Sequence, residues 1–377
     1  MSEGRSFLAE NSSGLVSHGA KSGVLGDYLA KCSDQLVFEQ LGLTRLERQL
    51  IMLAALAASG GTEAILISHT RNTLAAGATP DEIISVAEHA LANNRSPQSI
   101  TVLKTIHKSL ADAVDWPAWA TSKGVEVEGK QVPHLDSGGD GPVVLLCHAA
   151  TLDHRMWIEV ACRLAPRFRV LAPDLLGHMP GIDVPPANLA QVARHVLRFL
   201  DAKGVDKVHV AGSSMGGAVA QYVAIQASER VRTLSLMATL AKGVPPLAER
   251  ADAAESEGMS AQMVPTLTRW FEINDIALNS PAVRYARGRI EKTSLERWTA
   301  VWRSLAAHDP GSELACISCP VTCIGGKTDN SCPPPVIGAL AAAIPGAITE
   351  FLDGPHLFAL TDPNVTADIL RRAFDRG

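Results

Sequence analysis

From Val208 to Tyr222 the chain reads Val-His-Val-Ala-Gly-Ser-Ser-Met-Gly-Gly-Ala-Val-Ala-Gln-Tyr, and no other stretch so narrows what it can fold into. Its first residues are apolar and β-branched, as a buried strand requires, and a helical pattern begins after Gly217. Ser214 therefore falls on the turn from strand to helix. A serine on so sharp a turn has strained backbone, and a side chain two positions to either side would strike neighbouring chain, so glycine is needed at Gly212 and Gly216. The turn aims the Ser214 hydroxyl outward and leaves the Met215 N–H at a helix N-terminus, placed to stabilise an oxyanion. An ordinary glycine-rich turn is the competing reading, and the flanking strand and helix favour a nucleophile.

At 377 residues the chain exceeds what one core usually organises, which predicts two domains or one large decorated one. A net charge of −5 gives no electrostatic reason to expect nucleic acid or an anionic membrane as partner. The opening Met-Ser-Glu-Gly-Arg-Ser lacks the regions of a signal peptide, and no apolar run is long enough to span a bilayer. The expectation is a cytoplasmic protein acting on a small molecule. Seven scattered cysteines, an odd number, argue against a disulfide framework. Cys316, Cys319, Cys323 and Cys332 could suggest zinc, but Cys319 and Cys323 flank the apolar start of a strand and read as core thiols. Neither a metal nor an organic cofactor is expected.

Residues 1–37 read as a loosely ordered arm with one helix near Asp27 to Lys31. From 38 to 115 the pattern is all-α. Thr44-x-x-Glu47 is a capping box, followed by Leu46, Leu50, Leu53, Ala54 and Ala57 at helical spacing, until Gly60. A second helix is expected over about Glu63 to Ala76, Thr79-Pro80-Asp81-Glu82 starts a third, and Ser96-Pro97 a fourth with Ile100, Leu103, Ile106 and Leu110 on one face.

This unit resembles the carboxymuconolactone decarboxylase family on Leu43 to Ala57, on His69 eight residues before Gly77, and on Ala78-Thr79-Pro80-Asp81-Glu82-Ile83. The resemblance implies a small helical fold that assembles as a homo-oligomer, with a proton-transferring histidine at His69. The family's acidic position falls on Ile65, Glu63 lies about one turn earlier, and no cysteine is near. His69 and Glu63 are thus candidates for a second site, against the plainer reading of a retained assembly module with a core histidine.

Residues 116–124, with Trp116 and Trp119, read as a linker, and from 125 strands alternate with helices. Val125 to Gly129 alternates, Pro142 to Cys147 and Arg169 to Pro173 are continuous apolar runs, and helices fall near Trp157 to Leu164 and Leu189 to Lys203. Fully apolar strands between helices indicate a mostly parallel sheet covered on both faces. Residues 125–377 resemble an α/β-hydrolase. That resemblance implies an acid after a later strand and a histidine near the C-terminus, and Asp329, after Val321 to Ile324, and His356, in Gly354-Pro355-His356-Leu357, occupy those places. A serine of high pKa needs a base within hydrogen-bond reach, and the base needs a carboxylate to hold its tautomer.

After the first apolar strand comes Cys147-His148-Ala149-Ala150-Thr151, where relatives carry a glycine after the histidine. An alanine is tolerable if the backbone there keeps negative φ, so Ala149 or Ala150 is expected to offer an N–H beside that of Met215. His148 reads as a loop-holding residue or a substrate contact. The segment from about 241 to 309 interrupts the sheet and reads as a helical cap. Trp157, Arg269, Trp270, Arg284, Trp298 and Trp302 are candidate substrate-binding residues, aromatic walls and cations suited to a small carboxylate-bearing substrate, although each alone is more simply packing. Within the hydrolases Asp153 to Trp157, Phe168 to Leu171, Gly212 to Gly217, Arg269 to Phe271 and Gly325 to Pro335 resemble 3-oxoadipate enol-lactonase. The resemblance implies a serine hydrolase opening a carboxylate-bearing enol-lactone through an acyl-enzyme. Carbon–carbon cleavage by the same residues and a non-catalytic ligand-binding scaffold remain the alternatives.

Overall fold

The structure is a computed structural model describing residues 43–92, 99–113, 122–179 and 188–377, which fall into two compact units dividing near residue 114. The arm expected over 1–37, the start of the fourth helix at Ser96-Pro97 and most of the 116–124 linker lie outside the described residues. Lys123 and Gly124, assigned to that linker, already belong to the first strand.

In the first unit α1 (Arg45–Ser59), α2 (Glu63–Ala75), α3 (Pro80–Ala92) and α4 (Ser99–Ala113) pack around Leu53, Ala57, Leu66, Ile83, Ala87, Val102, Ile106 and Leu110. The Thr44 hydroxyl accepts from the Glu47 N–H at 3.2 Å while Glu47 Oε2 accepts from the Thr44 N–H at 2.7 Å, the reciprocal cap read from the sequence. Thr79 and Glu82 repeat the device at the start of α3. Gly60 closes α1 at φ 72°, a left-handed conformation that a side chain would strain. On α4 the buried face carries Val102 where the spacing had placed Leu103, which is half-buried.

The second unit is built on one eight-stranded sheet in the order β1-β2-β4-β3-β5-β6-β7-β8. The strands are β1 (Lys123–Val127), β2 (Lys130–Asp136), β3 (Val143–Cys147), β4 (Arg169–Pro173), β5 (Val208–Ser213), β6 (Val231–Met237), β7 (Val321–Gly326) and β8 (Ile348–Leu352). The last six are parallel, and β1 and β2 form an antiparallel hairpin on the β4 edge. Strand β2 is not legible in the sequence, because Lys130, Gln131 and Pro133 interrupt its apolar pattern; it pairs through Leu135 with Ala172 of β4. Helices α5 (Ile158–Leu164), α6 (Leu189–Ala202) and α7 (Met215–Gln226) cross between strands, and their apolar faces join Val144, Leu145, Val170, Val210 and Leu234 in one core.

Between β6 and β7 lies the expected helical insert: α8 (Pro245–Glu257), α9 (Met263–Trp270), α10 (Ile273–Ala277), α11 (Pro281–Glu291) and α12 (Leu295–Ala306). Helices α13 (Pro334–Ala342), α14 (Phe358–Thr361) and α15 (Pro363–Phe374) complete the unit. The insert is tied to the carboxyl ends of the strands: the Trp270 carbonyl accepts from the Leu357 N–H at 3.2 Å, and the Thr328 hydroxyl donates to Glu272 at 2.7 Å. Among the described residues no helix is long and apolar enough to cross a membrane.

Candidate active site

Ser214 stands between β5 and α7 with φ 53° and ψ −117°, a region that L-residues occupy at a cost of about 1–3 kcal/mol. The surrounding backbone enforces it. A Cβ on Gly212 would lie 2.1 Å from the Gly216 carbonyl oxygen, and one on Gly216 would lie 2.2 Å from that of Cys147. Both glycines are thus required by contact, as the sequence reading held. Because the crossing is this close, the start of α7 is drawn against the end of β3, which brings Met215 beside the loop that β3 feeds.

The half-buried Ser214 Oγ lies 3.0 Å from His356 Nε2, and His356 Nδ1 lies 2.8 Å from Asp329 Oδ2. Three residues from three loops, at the ends of β5, β7 and β8, form one hydrogen-bonded row. The other Asp329 oxygen, Oδ1, accepts from the backbone N–H groups of Ser331 at 2.7 Å and Cys332 at 2.9 Å. Burial pushes the Asp329 carboxyl up, but the His356 charge and these hydrogen bonds outweigh it and hold the group below its ordinary value. The carboxylate is therefore ionised and fixed, and it obliges His356 to carry its proton on Nδ1, leaving Nε2 to accept from the serine. Cys332 Sγ sits within 4.8 Å of ligating atoms of Asp329 and His356. Burial and the Asp329 charge raise its thiol far above the ordinary range, so it stays protonated and is a poor metal ligand there.

In the oxyanion loop the positive φ falls on Thr151, at 61°, and both alanines avoid it, as an alanine there requires. The Ala149 N–H is turned onto Met156 Sδ at 3.2 Å, so Ala149 is not a donor toward Ser214. Ala150 and Met215 are left: neither N–H has a partner among the described residues. Of the two readings of His148, loop-holder and substrate contact, the structure has the first. Its Nδ1 donates to the Ala149 carbonyl at 2.9 Å and its Nε2 accepts from the Leu175 N–H at 2.9 Å, with the ring fully buried. His178 does the same from the other side, accepting the Thr151 N–H on Nε2 at 3.0 Å. Burial lowers the pKa of both rings and keeps them neutral, as an accepting nitrogen must be.

The cap candidates divide. Trp157 and Trp298 are wholly buried in the core, and the Trp298 indole N–H donates to the Arg250 carbonyl at 3.2 Å. Trp302 packs against Trp298 at 5.5 Å between ring centroids, and Trp270 is buried beside the His356 loop. Arg284 is corrected from substrate anchor to turn lock: its guanidinium donates to the Asn279 carbonyl, where Asn279 holds φ 46°. Arg269 is half-buried, bonded to the Thr266 hydroxyl at 2.9 Å, and its buried Nε has no partner among the described residues.

Sequence reasoning missed several contributors. His154 accepts no role from its spacing, yet its ring and N–H both bind Asp174 Oδ1 at 2.7 and 2.9 Å, joining the loops after β3 and β4. Tyr285 of the insert donates to Asp153 at 2.8 Å, holding that loop from above. A cleft of about 110 Å³ opens at the carboxyl side, lined by Thr151, His178, Arg289, Lys292 and Arg297. The larger one, about 610 Å³, lies at the amino ends of the strands, far from Ser214.

In the first unit His69 lies on α2 and Glu63 is exposed at its first position. Six residues separate them, about 9 Å along the axis and about 120° around it, so the expected pair is not brought together. Burial lowers the His69 pKa, and its Nδ1 has no partner among the described residues.

Residues 142–363, more than half of the chain, match the model of the alpha/beta hydrolase fold. The chain belongs to the alpha/beta hydrolase fold family. Residues 25–107 match the carboxymuconolactone decarboxylase family, a span that starts inside the segment read as an arm, so the hydrolase carries an N-terminal domain of that second family. The hydrolase is 28% identical over 192 residues to 3-oxoadipate enol-lactonase 1 of Acinetobacter baylyi, covering 50% of this chain and 72% of that one. Its fold matches the enol-lactonase of Burkholderia xenovorans with a TM-score of 0.63 and 25% identity, over 67% of this chain and 100% of that one. A thermophilic esterase from Thermogutta terrifontis, solved with malate bound, matches with a TM-score of 0.59 and 25% identity over 67% of this chain and 97% of that one. The hydrolase is thus a distant relative of enol-lactonases.

Proposed function

We propose that the protein is a serine hydrolase that opens a small ester or lactone bearing a carboxylate, of the enol-lactone kind met in aromatic catabolism. The observation that carries this reading is the row Ser214 Oγ, His356 Nε2, Asp329 Oδ2, with spacings of 3.0 and 2.8 Å on a strained turn. Ser214 attacks the carbonyl carbon as His356 takes its proton on Nε2, and Asp329 stabilises the imidazolium without taking the proton. The N–H groups of Ala150 and Met215 receive the oxyanion, the role their open valence and position support. His356 then returns the proton to the leaving oxygen, and water releases the acyl group by the same route in reverse. The likeness to enol-lactonases supports a lactone, and the 3-oxoadipate in the name of the Acinetobacter relative supports the carboxylate.

A neutral fluorophosphonate tests the core of the reading. Covalent labelling at Ser214, seen by peptide mass spectrometry and abolished in Ser214→Ala, is expected; an unlabelled serine at saturating probe sinks it. Product analysis on a panel of enol-lactones, aryl esters and vinylogous diketones then separates ester or lactone opening from carbon–carbon cleavage. For the helical domain we propose assembly of copies of the chain, which leaves its exposed Ile51 and Ile65 as contact side chains. Light scattering of the full chain checks it, and a monomeric mass rejects it.

A further inference from the structure

Five consecutive backbone N–H groups, Ala149 to Asp153, run through the loop after β3, and four of them are taken. Ala149 gives its own to Met156 Sδ at 3.2 Å, Thr151 to His178 Nε2 at 3.0 Å, Leu152 to the Ala149 carbonyl at 3.2 Å and Asp153 to the Tyr285 hydroxyl at 3.2 Å. Of the five, Ala150 alone keeps an N–H with no partner among the described residues. An open donor is aimed by whatever fixes the peptides on either side of it, so these four bonds set where the Ala150 N–H points. Met156, His178 and the Ala149 carbonyl belong to the loops after β3 and β4. The fourth fastener, Tyr285, lies on α11 of the insert.

Tyr285 holds the backbone of Asp153 as well as its side chain. Its hydroxyl accepts the Asp153 N–H and donates to Asp153 Oδ1 at 2.8 Å, and the aspartate is buried. From the same helix Arg289 brings Nε to 3.2 Å from Asp153 Oδ2, while Arg155 closes on the carboxylate with Nε at 3.1 Å from Oδ1 and a terminal nitrogen at 2.9 Å from Oδ2. Burial pushes the Asp153 carboxyl up, but Arg155 and Arg289 outweigh it and hold the group well below its ordinary value, so it stays an acceptor. Burial and the Asp153 charge raise the Tyr285 phenol far above its own, so it stays a donor.

Resting on the hydrolase reading above, we propose that Tyr285 is a positioning residue for the oxyanion site: by pinning the Asp153 peptide it lets the insert hold the Ala150 N–H in place, and catalysis requires the insert seated on that loop. When Ser214 Oγ bonds the acyl carbon, the carbonyl π pair moves onto oxygen, the serine proton passes to His356, and the new charge falls on Ala150 and Met215. Ground-state substrate carries no such charge and loses little when the loop relaxes. The cost of a loosened Asp153 therefore appears in the transition state and in any stable tetrahedral mimic of it. The insert thereby acts on rate rather than on substrate affinity.

The test is Tyr285→Phe, which removes the hydroxyl and keeps the ring against which the Arg155 guanidinium lies at 5.8 Å. For para-nitrophenyl butyrate kcat should fall about tenfold to a hundredfold with KM within about threefold, and the inhibition constant of an alkyl trifluoromethyl ketone, whose serine adduct carries the oxyanion, should rise by a matching factor. A fault of packing alone would not make those two factors agree while KM stood still. Arg289→Met takes the insert's charge from the same carboxylate and leaves Tyr285 in place. It should move both constants in the same direction by less, and it carries the test if circular dichroism shows the phenylalanine variant unfolded. Unchanged kcat and inhibition constant in a folded variant overturn the proposal, and so does a rise in KM at constant kcat, which would make Tyr285 a substrate wall. A wild type that neither cleaves the ester nor labels at Ser214 with the fluorophosphonate removes the hydrolase reading, and this one with it.

Discussion

Two histidines carry the chemical expectations for this chain, one in each unit, and they differ in what holds them. His356 sits on a loop with its Nδ1 on an ionised, buried aspartate and its Nε2 on a serine hydroxyl. His69 sits in the middle of a helix, its Nδ1 buried and unanswered among the described residues, with Glu63 out of reach at the helix start. Burial acts on both. Only where a carboxylate fixes the tautomer does it leave a base facing a nucleophile; otherwise it merely lowers the ring's affinity for a proton. The lesson is that a histidine at a motif position acquires its chemistry from a partner at long sequence distance, here 27 residues away for the acid and 142 for the serine.

That contrast can be broken most sharply at Ser214. Ser214→Ala should lower kcat for an aryl ester by on the order of 10⁴ or more with the melting temperature little changed; turnover near wild type would end the comparison. Asp329→Asn should cost about 10³ to 10⁴ in kcat by leaving His356 in the wrong tautomer. Its effect on stability has a definite sign. The folded-state carboxyl is depressed, so its contribution is present above the ordinary aspartate value, about 3.9, and is lost as pH falls through the lower folded value. Melting temperature followed between pH 6 and about pH 3 should therefore fall less steeply in Asp329→Asn than in the wild type, and parallel curves would contradict the assignment. Gly216→Ala drives a Cβ to 2.2 Å from the Cys147 carbonyl and should destabilise the hydrolase unit by about 3 kcal/mol or more, read by urea unfolding. At the small end, His69→Ala should leave ester hydrolysis within about twofold, since no bond of His69 bears on that chemistry. Loss of carbon dioxide release from 4-carboxymuconolactone in that variant, if the wild type shows any, would place His69 beside His356 as a second working base.

The strands and helices that position the site were legible because each carries its signal locally. The apolar runs at β3, β4 and β5, the caps at Thr44 and Thr79 and the glycine pair around Ser214 depend on neighbours within a few residues. The hairpin strand β2 was not legible, since Lys130, Gln131 and Pro133 break its apolar pattern and its strand character comes from pairing with β1 over Lys130–His134 and with β4 over His134–Asp136. The oxyanion loop shows the same division. That Ala149 and Ala150 stand near Met215 follows from sequence order, yet which N–H is open depends on Met156 capturing one of them and on Thr151 taking the positive φ.

By itself, then, the sequence determined two domains, their fold classes and the identity of a serine, an aspartate and a histidine in a fixed chain order, because periodicity and turn chemistry act over short range. Tertiary structure alone decided that His148, His154 and His178 are fasteners and that Arg284 holds a turn. Those outcomes turn on which polar atoms meet after the core has closed, and burial makes each meeting or its absence costly enough to define the site.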